Sequence, residues 1–299
     1  MTDQASQTAV VVGIATTGRA PILDETLRHI AALTDAPDGI VVSIAAPDDI
    51  DRSGLSALDR PVDVISSERG LCAQRNAILD QVGSDDILLF LDDDFMIAEG
   101  FITATRKVFD ENPDVVMATG HVLADGILGP GMDHAAGRPF LAAESDTHVT
   151  PVRTETYNGY GCNMAVRVAV AQDHGLRFDT TLPRYGWLED VDFSRRIAAH
   201  GRIVKDSALR GVHLGTKTGR SRGVPLGYSQ IANPVYLMRK GTMAPRRALR
   251  LMTRNILANL AKSLRPEPWV DRGGRLKGNG LALVDLVRGR LAPGRIEDL

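Results

Sequence analysis

Three features of the sequence predict an α/β fold: a mostly parallel sheet flanked by helices, followed by a basic helical extension. Short, β-rich apolar runs alternate with helical patterns through the first half, as in βαβ units. A wholly apolar run, Ile87 to Leu91, leads directly into Asp92, Asp93 and Asp94. Charge divides the chain: from Tyr236 onward 14 Lys+Arg face 5 Asp+Glu, a net of +9, whereas the preceding residues carry 21 against 32, a net of −11.

The elements follow in order. Ala9 to Ala15 reads as a buried strand, and Leu23 to Leu33 as a helix with Leu27, Ile30 and Leu33 on one face. Gly39 to Ala45 is a second strand, broken by Pro47-Asp48-Asp49. Val62 to Ser66 is a third strand, Leu71 to Val82 a helix, and Ile87 to Leu91 a central strand. A helix over Glu99 to Asn112 and a strand over Val115 to Thr119 come next. The Gly-rich segment Asp125 to Pro151 shows no period and reads as a long loop of functional type. Order resumes at Tyr157 to Val166, with a helix over Arg167 to His174. A second helix opens at Trp187-Leu188-Glu189-Asp190 and closes at His200-Gly201, and Val212-His213 ends a short run.

Composition excludes disordered, collagenous and disulfide-stapled classes: 299 residues, 43% hydrophobic, 24% charged, two cysteines. Cys72 and Cys162 form no framework and no CxxC pair, so a reducing cytoplasm is expected. Met1 to Ala9 is polar, and no stretch approaches a membrane span of about 20 apolar residues. The charge division places a boundary near Asn233-Pro234: an acidic globular domain over 1–233, with halves at about 9–124 and 125–233, then a basic amphipathic extension over 234–299.

In open α/β sheets ligands bind beyond the carboxyl ends of the strands, so Thr16 to Arg19, Asp48 and Asp92 to Asp94 are expected to converge. Three carboxylates ending a buried strand call for a divalent cation, Mn²⁺ or Mg²⁺, and through it a phosphorylated substrate. A solvated turn capping a helix is the plainer alternative. Glu189-Asp190 opens a helix, where first-turn acids complement the dipole. Equally, Asp190 held by Arg196 could take a proton from an alcohol. His213 ends a strand and precedes a loop with Lys217, Arg220 and Arg222. It reads as a structural histidine or a neutral metal ligand, and the three cations as a solvated loop or a diphosphate cradle. Arg75 and Asn76, in GLCAQRN, lie on a helix leading from the crevice.

Seven segments in order resemble the inverting family 2 glycosyltransferases: GIATTGR from Gly13, the strand-end Asp48, GLCAQRNAIL from Gly70, FLDDDF from Phe90, GYGCNMAVR from Gly159, WLEDVDFSRRIAAHG from Trp187, and His213. The resemblance covers about Val10 to Gly215. It implies a GT-A-type mixed, mostly parallel sheet and transfer of a sugar from a nucleoside diphosphate donor, a UDP-sugar first, to an acceptor hydroxyl with inversion. On that pattern Thr16, Arg19, Asp48, Arg75, Asn76, Asp92 and Asp93 would hold the nucleotide. Asp94, Asp92 and His213 would hold the metal, Asp190 would be the base with Glu189 supporting it, and Gly161, Cys162, Asn163 and Trp187 would shape the sugar and acceptor site. Lys217, Arg220 and Arg222 would meet the diphosphate. The competing classes are a nucleotidyltransferase, which wants a basic Gly-rich loop where only Arg19 stands, and a non-catalytic nucleotide-sugar scaffold.

In the extension, Leu249, Met252, Ile256, Leu260 and Leu264 form an apolar stripe with Arg246, Arg247, Arg250, Arg254, Lys262 and Arg265 mostly elsewhere around the helix. That pattern fits either an interfacial helix on an anionic membrane or a helix packed on the catalytic domain. The membrane reading would bring the enzyme, as a peripheral protein on the cytoplasmic face, to a lipid-linked saccharide in exopolysaccharide assembly. Few aromatics interleave the basic residues, so nucleic acid is not the expected partner.

Overall fold

The computed structural model describes residues 8–55, 58, 61–144, 151–217 and 223–299. The first half holds β1 (Val10–Thr16), α1 (Ala20–Ala31), β2 (Gly39–Ile44), α2 (Arg52–Leu55), β3 (Asp63–Ser66) and α3 (Leu71–Leu79). Next come β4 (Ile87–Asp92), β5 (Phe95–Ile97), α4 (Phe101–Glu111), β6 (Val115–Asp125), α5 (His134–Glu144) and β7 (Arg153–Glu155). Then follow β8 (Asn163–Arg167), α6 (Val168–Asp173), α7 (Glu189–Ile197) and β9 (Arg202–His213), and last the helices α8 (Gly223–Lys240), α9 (Pro245–Lys262) and α10 (Arg272–Val287).

The strands form one mixed sheet in the order β3-β2-β1-β4-β8-β6-β9-β5, with β7 on β9. It is parallel from β3 through β4, and β8 runs antiparallel to both β4 and β6. Because side chains alternate along a strand, the all-apolar β4 feeds two cores. Ile87, Leu89 and Leu91 pack with Leu23, Leu27 and Phe101 on one face, and Leu88 and Phe90 with Ile78, Phe178 and Phe193 on the other. Burying each such leucine contributes about 2 kcal/mol.

Two expectations are corrected. The segment after Asp125 is not a structureless loop: a 3-10 turn at Gly126–Leu128 leads to α5. Its period is hidden because Pro139 lies inside the helix and because Gly137 is where α5 meets the sheet, a Cβ there falling 2.9 Å from the Met96 sulfur. Residues 145–150 of that segment lie outside the described residues. The Asn233-Pro234 step falls inside α8 and not at an element boundary. Helix α8 is tied back to α7 at its end, where Asp192 takes bonds from Lys240 Nζ at 2.8 Å and Thr242 Oγ1 at 2.7 Å.

Candidate active site

Strand register assembles the site. Asp92 ends β4, and the chain turns through Asp93 and Asp94 into β5, which pairs antiparallel with β9 so that Phe95 faces His213. The Leu214 amide donates to the Asp94 carbonyl, locking that alignment at 2.9 Å. Strand β6 pairs with the other edge of β9, setting Asp125 opposite His213. One ligand atom each from Asp92, Asp94 and His213 lies within 4.8 Å of the others. Two carboxylates and an imidazole at that spacing suit Mn²⁺ or Mg²⁺, and the imidazole favours Mn²⁺.

The charges around this group are arranged for it. His213 places Nε2 at 3.5 Å from Asp94 and 3.9 Å from Asp92, while its Nδ1 sits 2.8 Å from Asp125. Burial opposes protonation of this ring, but hydrogen bonds to Asp125 and Asp94 prevail and push its pKa up to about 10. A cation binding at Nε2 therefore displaces a proton. Burial also resists ionisation of Asp94, yet His213, Arg19 and the Thr216 amide together hold its carboxyl below the ordinary range. Asp94 accepts from both the amide and the hydroxyl of Thr216 at 2.9 Å. Asp93 faces away: it accepts from Thr16 Oγ1 and from Arg19, each at 2.7 Å, and burial pushes it up to about 6.

Arg75 is the buried hinge between the aspartates and α7. Its guanidinium donates to Glu189 Oε1 at 2.5 Å, Asp92 at 3.2 Å and the Gly161 carbonyl at 2.7 Å, and packs against the rings of Phe90 and Phe178, each 5.5 Å away. Gly161 packs closely there: a Cβ would lie 3.2 Å from Glu189 Oε1 and 3.4 Å from Arg75. Burial pushes Glu189 well above the carboxylate range, and its Oε2 has no hydrogen-bond partner among the described residues. Asp190 accepts from the amides of Val191 at 2.8 Å and Gly161 at 3.2 Å, and burial raises its pKa as well. The loop before α7 is tightly wound, with Arg184, Gly186 and Leu188 all at positive φ. Left-handed non-glycine residues of this kind cluster at functional sites, at about 1–3 kcal/mol each.

Several sequence expectations meet a different placement. Arg196 pairs with Asp192, four residues before it, and not with Asp190. Asn76 is not brought into the crevice, because its amide both donates to and accepts from the backbone of Phe178. Arg75 lies beneath the site, held by carboxylates. Cys162 packs in the core, and Asn163 points inward to Thr119 and the Gly120 amide. Asp48 is exposed beyond β2, while its neighbour Asp49 ties that turn to the Gly18 amide at 2.6 Å. Trp187 is braced by Asn233, whose Nδ2 donates to its carbonyl at 2.8 Å, and lines a small cleft with Tyr185, Pro225 and Ile296. Lys217 folds onto the carbonyls of Gly126 and Ile127; Arg220 and Arg222 lie outside the described residues. Sequence reasoning missed Asp125, Tyr160 and Thr216. Only the β6–β9 register singles out Asp125, whose second oxygen accepts from the Tyr160 hydroxyl at 2.9 Å.

Residues 11–174 match the profile of the family described as glycosyl transferase family 2. No curated protein matches the chain. Among solved structures, the mannosyltransferase PcManGT from Pyrobaculum calidifontis, in complex with GDP-Man and Mn²⁺, is 16% identical with a TM-score of 0.55. That alignment covers 98% of this chain and 86% of that one. S. aureus TarS 1-349 in complex with UDP-GlcNAc is 15% identical, TM-score 0.56, over 98% and 84%. GalNAc-T7 with UDP, GalNAc and Mn²⁺ is 16% identical, TM-score 0.54, over 95% and 59%. At these identities the likeness is one of fold, which is GT-A.

Proposed function

The chain belongs to glycosyl transferase family 2, and from that premise we propose that it moves a sugar from a nucleoside diphosphate donor to an acceptor hydroxyl in one displacement, with inversion at the anomeric carbon. The observation that carries this is the Asp92, Asp94 and His213 cluster, joined through Arg75 to the helix start that bears Glu189 and Asp190. Those three residues would hold a divalent cation, Mn²⁺ or Mg²⁺, which would supply positive charge to the departing diphosphate.

The protein's own groups do the rest. Asp190, with its raised pKa and two backbone amides on its carboxylate, takes the acceptor hydroxyl proton. Glu189 and Asp92 are held in register by the one guanidinium of Arg75. Asp48 is free to meet the nucleoside, with Thr16 and Asp93 orienting Arg19 at its edge. Trp187 offers an apolar platform to the acceptor, and the lack of a side chain at Gly161 lets its backbone approach Glu189 and Arg75. The neighbours were solved with guanosine and uridine diphosphate ligands, and we take UDP-sugars as the first donors to test. The acceptor is a lipid-linked saccharide in polysaccharide assembly, met by a peripheral protein at the cytoplasmic face of the membrane; no described helix is long and apolar enough to cross one.

The test is thermal stability with UDP, GDP, dTDP and CDP, each with and without Mn²⁺, for the wild type and Asp94→Ala. A site-selective ligand stabilises by RT ln(1 + [L]/Kd). One diphosphate should stabilise the wild type only with metal, and Asp94→Ala should abolish the shift. No shift with any nucleotide, or an unaltered one in the variant, overturns the site.

A further inference from the structure

Helix α9, PRRALRLMTRNILANLAK, contains no acidic residue. Its rotation is fixed by its inner face. Ala248 and Asn259 are fully buried, Met252 and Ile256 pack against the Tyr228, Ile231 and Ala282 cluster, and Asn259 Nδ2 donates to Gln230 at 2.8 Å and Asn279 at 2.9 Å. Met252 and Ile256 are therefore turned inward, and the stripe read from the sequence is not the one presented to solvent. The exposed row is Leu249, Leu257 and Leu260, within an arc of about 80° at 100° per residue. Leu264 follows just past the helix end, and the four are 54% to 86% exposed. Arg246 stands at the N-terminal end of the same arc and Arg250 and Arg254 beside it, all three exposed and with no ion pair among the described residues.

We propose that this face of α9 lies flat on an anionic phospholipid bilayer, with the leucine row at the acyl boundary and the arginines at the lipid phosphates. Exposed leucines sharing one helix face mark an interaction surface, and the cations along it, without an ion pair among the described residues, select its chemistry. A second copy of the chain would bring like charges together, and a nucleic acid would leave the leucines in water. An anionic bilayer satisfies both rows at once. The proposal deepens the reading of a lipid-linked acceptor, yet its test needs neither donor nor acceptor.

The full chain is sedimented with vesicles of phosphatidylcholine plus phosphatidylglycerol, and with vesicles of phosphatidylcholine alone. Each arginine near an anionic surface adds about fivefold to partitioning, so the mixed vesicles should be preferred by at least about tenfold. Leu257→Glu/Leu260→Glu and Arg250→Glu/Arg254→Glu should each lose about tenfold or more. Both should keep the wild-type melting temperature and Mn²⁺-dependent nucleotide stabilisation; a variant that melts lower is replaced by the serine pair at the same positions. Absent binding by the wild type overturns the proposal, as does full binding by the leucine variant or tighter binding to polyuridylate than to the vesicles. Vesicle binding without any nucleotide response would leave this face standing and remove the glycosyl-transfer site.

Discussion

The Nδ1 atom of His213 lies 2.8 Å from an Asp125 oxygen, and the β6–β9 ladder sets the two residues opposite each other. An Asp on Nδ1 fixes the tautomer with the proton there, leaving Nε2 to face Asp92 and Asp94. Asp125→Asn keeps the shape and loses the charge, and Mn²⁺ affinity read by electron paramagnetic resonance should fall about 10- to 100-fold. Tyr160→Phe, which frees the other oxygen of Asp125, should give a smaller loss. Wild-type Mn²⁺ affinity in Asp125→Asn would show that His213 needs no such support.

The raised pKa of Asp190, caused chiefly by burial, gives a pH signature. A base works only when deprotonated, so activity is present above the raised pKa and is lost as pH falls through it. The acid limb of kcat/KM, followed by donor hydrolysis, should stand above the value of about 4 for an ordinary aspartate. Asp190→Asn should lower kcat about 10²- to 10⁴-fold with little change in nucleotide affinity. An acid limb at the ordinary value, unmoved in the variant, would assign the base elsewhere.

Gly161→Ala should damage stability and site together. The new methyl would crowd Glu189 and Arg75, whose ion pair is buried among aromatic rings and has nowhere to retreat. A loss of about 1–3 kcal/mol in urea unfolding is expected, with nucleotide-dependent stabilisation reduced. A variant as stable as wild type would show that Arg75 shifts freely.

Asp192 is a purely structural counterpart. It is fully buried and ties Arg196, Lys240 and Thr242 together. Asp192→Ala leaves Arg196 without its carboxylate and the Thr242 hydroxyl without its acceptor, while Lys240 keeps Asp179, and the unfolding free energy should fall by about 3 kcal/mol. Mn²⁺ affinity should remain at the wild-type value; a weakened metal site would make the α7–α8 junction part of it.

Much of this was legible in one dimension, for physical reasons. Uninterrupted apolar strands such as Ile87 to Leu91 are buried on both faces, and aspartates directly after one had to meet a cation or water. His213 was recognisable because it closes a strand. Asp125 was not: its importance comes from a ladder carrying register shifts between Thr119 and His121 and between Val122 and Ala124. Arg75 gave no sign of burial, since its stabilisation comes from carboxylates 17 and 114 residues away. The Arg196 partner was within reach, because residues four apart on a helix face each other and residues six apart do not. The solvent-facing row of α9 could not be read either, because two apolar rows share that helix and only the Asn259 network decides which one turns inward.

The brace on Trp187 also has a consequence for synthesis. Its carbonyl is held by Asn233, 46 residues further along, and Arg184 in the same loop reaches the carbonyl of Glu297, 113 residues on. The sheet and its aspartates can form while the chain is still on the ribosome, as soon as β9 has emerged. The loop leading into Glu189 and Asp190 is held early by the Leu71 amide on the Arg184 carbonyl, and gains its second brace once the helices beyond β9 have emerged and docked. A nascent chain in which β9 has emerged thus already holds its cation ligands and, through Arg75 and the Gly161 amide, its acidic pair, and lacks only the outer brace on the loop before them.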